Sequence, residues 1–221
     1  MQTDMTVGKP MKMLLNFTIP VFLGNVFQQL YSMADAVIVG KFVGTKGLAA
    51  VGATGTITFL IIGFLMGVTT GVTVLTSQKF GAGRMDEMRK TVGNAAILSA
   101  VIAVVMTAVS MLGMHRLLVF MHTPEDIFDG AYGYIMIICA GIFTQVLYNL
   151  VSSILRALGN SKTPLYFLIL AAGLNIVLDL VFIIFFHWGA PGAAWATVIS
   201  QGVSGVLCLI YMWKAVPELK M

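Results

Sequence analysis

Nine carboxylates occur in the chain, and seven of them, Asp4, Asp86, Glu87, Glu125, Asp126, Asp129 and Glu218, fall in polar loops or tails. The other two, Asp35 and Asp179, sit inside apolar stretches. A carboxylate at membrane depth costs several kcal/mol unless it is paired, protonated or hydrated, so an intramembrane acid is a functional candidate by default. Their neighbours strengthen the case. Asn25, Gln28, Ser32 and Asp35 follow steps of three, four and three residues, which places them on one face of a helix. Asn175 and Asp179 are four apart, and Thr197 and Gln201 repeat that spacing. Tyr134, Gln145 and Asn149 add polar atoms to another apolar stretch. Carboxylates, amides, hydroxyls and a phenol are hard oxygen donors, suited to H⁺ or Na⁺ and not to zinc or copper. Turned toward a common interior, they would surround a water-filled cavity or a cation site, with an ion-coupling role for Asp35 and Asp179.

The elements that must position these groups follow from composition. Thirteen Lys/Arg and nine Asp/Glu make charged residues 10% of 221, against roughly 25% in soluble domains. That is too few charges to solvate a globular surface, and 58% of the residues are hydrophobic. The expected fold is therefore all-α and integral to a lipid bilayer. The net charge of +4 reports topology, because no polar face remains on which a nucleic-acid-binding patch could form. Cys139 and Cys208 lie in apolar stretches and suggest neither a disulfide framework nor a zinc site.

A spanning helix needs about 20 apolar residues. Six such spans are expected, near 17–39, 48–77, 92–112, 131–151, 165–186 and 192–213, forming a single six-helix bundle over residues 1–221. His187 to Pro191 reads as a tight turn between the last two. Lys9, Lys12, Lys79, Arg84, Arg89, Lys90, Arg156, Lys162, Lys214 and Lys220 fall on one side, and Lys41, Lys46 and Arg116 on the other. The positive-inside bias then puts both termini in the cytoplasm. Residues 78–91 read as a solvated loop, and 115–130 as an outer loop in which Thr123-Pro124-Glu125 starts a helix. Gly63, Gly67 and Gly71 form a ridge of the kind that lets another helix approach closely. Pro20 removes a backbone hydrogen bond from the first span. No cleavable leader is expected, since the first apolar stretch exceeds the length of a signal-peptide core.

Several local motifs then combine: Ile19-Pro20, Tyr31-Ser-Met-Ala-Asp35-Ala-Val-Ile-Val-Gly40, Ser77-Gln-Lys-Phe-Gly-Ala-Gly83, Leu155-Arg-Ala-Leu-Gly159 and Asn175-Ile-Val-Leu-Asp179. In this combination and order, the chain resembles the amino-terminal half of a multidrug and toxic compound extrusion (MATE) transporter. The resemblance covers essentially the whole chain. It implies a secondary antiporter, not an enzyme, that exports cationic xenobiotics in exchange for H⁺ or Na⁺ without nucleotide hydrolysis. It requires no cofactor beyond the coupling ion. The matching coupling-site positions are Asp35, Asn175, Asp179, Tyr134 and Thr197. Asp35 and Asp179 would take the proton or, with Asn175, ligate Na⁺; Thr197 would complete the shell, and Tyr134 would bond to the carboxylates. Gln28, Ser32, Asn25, Gln145, Asn149 and Gln201 would line the cavity. The family has two six-helix lobes, so a second lobe is an implied partner, alongside the bilayer and cationic small molecules. Short loops point to a bacterial inner membrane.

Two other readings use the same residues. A flippase for lipid-linked or other polar solutes belongs to the same superfamily, although the acidic interior here favours cationic cargo. An intramembrane aspartyl protease also faces two membrane-embedded Asp residues, but the Asn-Ile-Val-Leu before Asp179 lacks the Gly-x-Gly-Asp context of those enzymes.

Overall fold

The computed structural model describes residues 10–216, and every regular element in them is helical. The elements are α1 (Pro10–Phe42), α2 (Thr45–Gly81), α3 (Met85–Phe120), α4 (Glu125–Ala140), α5 (Ile142–Ala157), α6 (Lys162–Leu180), a π-helical turn (Val181–Phe185) and α7 (Gly189–Ala215). Helices are what the composition demands, since backbone groups in lipid have no water to bond and must be satisfied within the segment. Asp4, Lys9, Glu218 and Lys220 lie outside the described residues.

Four of the helices, α1, α2, α3 and α7, are long and apolar enough to cross a membrane singly, and α6 with its π turn makes a fifth. At 16 residues each, α4 and α5 reach only about 24 Å apiece at 1.5 Å per residue. They meet at Gly141 with a bend of 46°, and taken together supply a sixth, broken span where a continuous one was expected. The break has a steric cause. A Cβ on Gly141 would stand 2.2 Å from Val198 Cγ2 on α7, so glycine is what lets α7 press against the joint. Further along, Gly202 meets Thr144 at 3.2 Å and Gly205 meets the Tyr148 backbone nitrogen at 3.3 Å, both measured from an added Cβ. With Ala190, Ala193, Ala194 and Ala196 also buried, α7 is the small-residue post around which the bundle closes.

The expected glycine ridge behaves differently. A Cβ added at Gly63, Gly67 or Gly71 would meet nothing within 4 Å. The core face of α2 is Ile57, Ile61, Leu65, Thr69, Val72 and Thr76, and two residues of helical offset turn the glycines to the opposite side. Within the described residues, no helix uses the ridge.

The helices also outrun the apolar spans. The stretch 78–91, expected as a loop, is mostly helix, with α2 ending at Gly81 and α3 beginning at Met85. Gly83 turns the chain at φ 71°, and Lys79 and Arg84 pair with Glu87 while Arg89 pairs with Asp86. Likewise α3 runs to Phe120, and α4 starts at Glu125, directly after Pro124 as the Thr-Pro-Glu signal predicts. The turn before α7 is shorter than expected, because Gly189 to Pro191 already belong to the helix. Proline costs nothing in a first turn, where its N–H would have no intrahelical acceptor. Charge ends an apolar span but not a helix, which is why the termini moved.

Candidate functional site

Asp35 comes from the last quarter of α1, and Asp179 from the end of α6, just before the π turn. π turns inside helices concentrate at functional sites, and here Phe186 N–H reaches back to Val181 O at 3.2 Å. Asp35 is 9% exposed, and Asn175 and Asp179 are wholly buried. The two carboxyl groups lie within hydrogen-bonding reach of each other. With its amide nitrogen toward Asp179, Asn175 donates to Asp179 Oδ2 at 3.1 Å, and its carbonyl accepts from the Thr197 backbone N–H at 3.2 Å. Tyr31 donates its hydroxyl hydrogen to Thr197 Oγ1 at 3.3 Å. Thus α1, α6 and α7 are joined by one polar chain: Asp35, Asp179, Asn175, Thr197, Tyr31.

A cavity of about 250 Å³ opens against this chain. Asp35, Tyr134, Thr197, Gln28, Ser32, Gln145, Asn149 and Gln201 line it, so eight of the eleven expected side chains meet there. Asn175 and Asp179 stand behind the wall, connected to it through Asp35 and Thr197. Asn25 does not join them: it is exposed on α1 and absent from the lining. Tyr134 is in place, but its hydroxyl makes no hydrogen bond to either carboxylate; the tyrosine that bonds into the network is Tyr31. Asn149 instead donates to the Gln145 carbonyl at 2.9 Å and Ser32 to the Gln28 carbonyl at 3.1 Å, satisfying themselves along their own helices.

Three polar lining residues were not among the expected ones: Tyr31, Thr58 and Tyr148. Tyr31 precedes Asp35 by four residues, so the helical stripe could have found it. Tyr148, three after Gln145, carried the same signal, and its hydroxyl donates to Pro164 O at 3.0 Å. Thr58 lies in an apolar run where nothing marks it, yet its hydroxyl is buried without a partner.

The electrostatics define what this arrangement can hold. Asp35 Oδ1 and Asp179 Oδ1 are buried acceptors with no partner, and no Lys or Arg lines the cavity. Two carboxyl groups in contact cannot both be ionised unless something positive lies between them, a shared proton or a small cation. The donor set is all oxygen and amide, which fits H⁺ or Na⁺. Among the described residues there is no cluster of three or more His, Cys, Asp or Glu side chains that could hold a metal ion.

Comparison with known proteins now adds to this geometry. The MatE family model matches residues 20–181. The chain belongs to the MatE family. MatE proteins are transporters, which sets the protease reading aside. Among its relatives, YpnP of Bacillus subtilis, described as a probable multidrug resistance protein, is 33% identical over 96% of this chain and 47% of its own length. NorM of Thermotoga maritima, described in the same words, is 28% identical over 90% of the chain and 44% of its own length. A solved transporter of the MOP superfamily from Pyrococcus furiosus superposes with a TM-score of 0.90 at 28% identity, covering 99% of this chain and 48% of that one. Its description says that the reverse polarity of its binding pocket suggests a different function. The chain spans about half the length of the relatives it matches, which makes the bundle one lobe of a MatE-type, multi-pass membrane transporter.

Proposed function

We propose that this bundle is the amino-terminal, ion-coupling lobe of a secondary antiporter that exports cationic drugs in exchange for H⁺ or Na⁺. The observation that carries the reading is the Asp35–Asp179 pair, with an unpartnered buried oxygen on each acid and no basic side chain lining the adjoining cavity. When the pair releases its proton or cation, the cavity gains negative charge and attracts a cationic substrate; when the ion returns, the charge is cancelled and the substrate is released. One ion therefore competes with one cationic cargo, which is the thermodynamic requirement for exchange. A second six-helix lobe, facing this one, completes the path. The ten basic residues assigned to one side support an orientation with both termini in the cytoplasm, in a bacterial inner membrane.

The test is efflux of a fluorescent cationic dye from cells lacking their own pumps, with the chain joined to its second lobe. Wild type lowers cell-associated dye; Asp179→Asn, which keeps the volume and loses the charge, inserts normally and leaves dye at the level of cells without the protein. Wild-type efflux by that variant would refute the coupling role. Collapsing the proton gradient and the sodium gradient separately then identifies the ion.

A further inference from the structure

A second, larger cavity, of about 660 Å³, lies where the start of α1, the start of α6 and the last turns of α7 come together. Its walls include Phe17, Asn160, Ser161, Lys162, Tyr166 and Tyr211. Among the described residues no carboxylate lines it, and the one charged side chain is Lys162. Asn160 and Ser161 are 5% and 6% exposed. The Asn160 side-chain oxygen accepts from Thr163 N–H at 3.1 Å and so caps α6, which leaves the Asn160 amide nitrogen without an acceptor. The Ser161 hydroxyl makes no side-chain cap bond and has no other hydrogen-bond partner among the described residues. Residue 164 is proline and brings no N–H. The cavity thus presents donors on two nearly buried residues at the positive end of a 19-residue helix, beside an ammonium group.

Such a set of donors fits a phosphate group, which accepts several hydrogen bonds and carries the complementary charge. The rest of the wall is apolar and aromatic. Tyrosines favour the level of lipid headgroups, and Tyr166 is 66% exposed toward the surroundings. Lys12, four residues before the lining Asn16, and Lys214, three after Tyr211, are exposed on the adjoining turns. We propose that this cavity binds the phosphate of an anionic phospholipid headgroup, which ties the start of α1 to α6 and α7 at the basic end of the bundle. The site is separate from the ion-coupling cavity, and the proposal stands whether or not the chain exports drugs.

The experiment measures how fast an amine-reactive acylating reagent modifies Lys162, relative to Lys41, in the full protein held in nanodiscs of phosphatidylcholine with or without phosphatidylglycerol. Lys41 is exposed and does not line the cavity, so the ratio cancels the general attraction of an anionic surface. With phosphatidylglycerol the Lys162/Lys41 ratio falls severalfold, because only Lys162 is engaged in the cavity. Ser161→Leu, which fills the cavity, restores the ratio, and so does Asn160→Asp, which keeps the cap on Thr163 while placing a carboxylate beside the phosphate. Inorganic phosphate added to phosphatidylcholine nanodiscs is the second arm. Protection by phosphate alone, without response to phosphatidylglycerol, would overturn the lipid assignment in favour of a soluble ion. An unchanged ratio in both arms, or protection that survives both substitutions, would overturn the site.

Discussion

The two polar sites of this bundle both draw on α1, α6 and α7, although α2, α4 and α5 also line the central cavity, and the roles proposed for them call for ligands of opposite charge. In the central one, acids from α1 and α6 face each other, two oxygens are left without donors, and no basic residue lines the wall. At the basic end the start of α6 alone supplies an amide, a hydroxyl and Lys162, with no acid among the described lining residues. Depth explains the difference. Within a span a carboxylate is costly, so the acids are retained by pairing around a proton or cation. At the end of a span, donors can stay unused until a headgroup arrives. The lesson is that an orphan acceptor and an orphan donor mark ligands of opposite sign, and that each should respond only to its own substitution.

The largest effect that can break this contrast is Asp179→Asn. It removes one of the two acids of the central pair and should take dye efflux to background, while the Lys162/Lys41 labelling ratio stays at its wild-type value. Loss of the labelling response as well would mean that the two cavities are one coupled structure.

Gly141→Val comes next. Its side chain enters space held by Val198, 2.2 Å from where a Cβ would stand, and overpacking of this kind costs about 1–3 kcal/mol. Val198 adjoins Thr197, so the central network takes the strain, whereas Tyr211 lies about 20 Å further along α7 at 1.5 Å per residue. Thermal unfolding of the purified protein should occur at lower temperature for Gly141→Val, with phospholipid protection of Lys162 retained in the folded fraction. Gly67→Ala, which meets nothing within 4 Å, is the control and should leave the unfolding temperature of the lobe unchanged or slightly raised.

What was legible beforehand follows the same division. A charge or amide inside an apolar span stands out against its neighbours, so Asp35, Asn175, Asp179 and Thr197 could be read directly, as could the helical stripe that brings Gln28 and Ser32 to the same wall. Asn25 belonged to that stripe by spacing, yet it lies exposed, because spacing fixes a face only to within the width of the stripe. Tyr31 escaped because a phenol in an apolar run is equally a packing residue. The break at Gly141 is legible only in the packing: glycine is common in spans, and what requires one at this joint is Val198 from another helix. The basic-end cavity was illegible for the same reason, since Phe17, Ser161 and Tyr211 are brought together only by packing.

Asp35→Asn sharpens the comparison within the central site itself. Asp35 is 9% exposed and lines the cavity, whereas Asp179 is fully buried behind it. Water in the cavity can take over part of what the Asp35 carboxylate does, so efflux should fall severalfold without reaching background. The ion dependence should weaken at the same time. Efflux by Asp35→Asn with wild-type dependence on the driving ion would reassign Asp35 to packing and leave Asp179 as the sole coupling acid.

The smallest expected change is at Tyr31. Its hydroxyl donates to Thr197 Oγ1 at 3.3 Å, a long contact between neutral groups, and net contributions of such bonds lie near the lower end of about 0.5–1.5 kcal/mol. Tyr31→Phe keeps the ring and the packing, so efflux should fall only about two- to threefold. The more telling readout is Thr197→Val in the same background. If Tyr31 acts by holding Thr197, and through it Asn175 and Asp179, the double variant should lose no more than Thr197→Val loses alone, because both remove the same link. Additive losses would show that Tyr31 touches the cargo or the ion by a route of its own, and the polar chain joining α1 to α7 would then be two separate contacts.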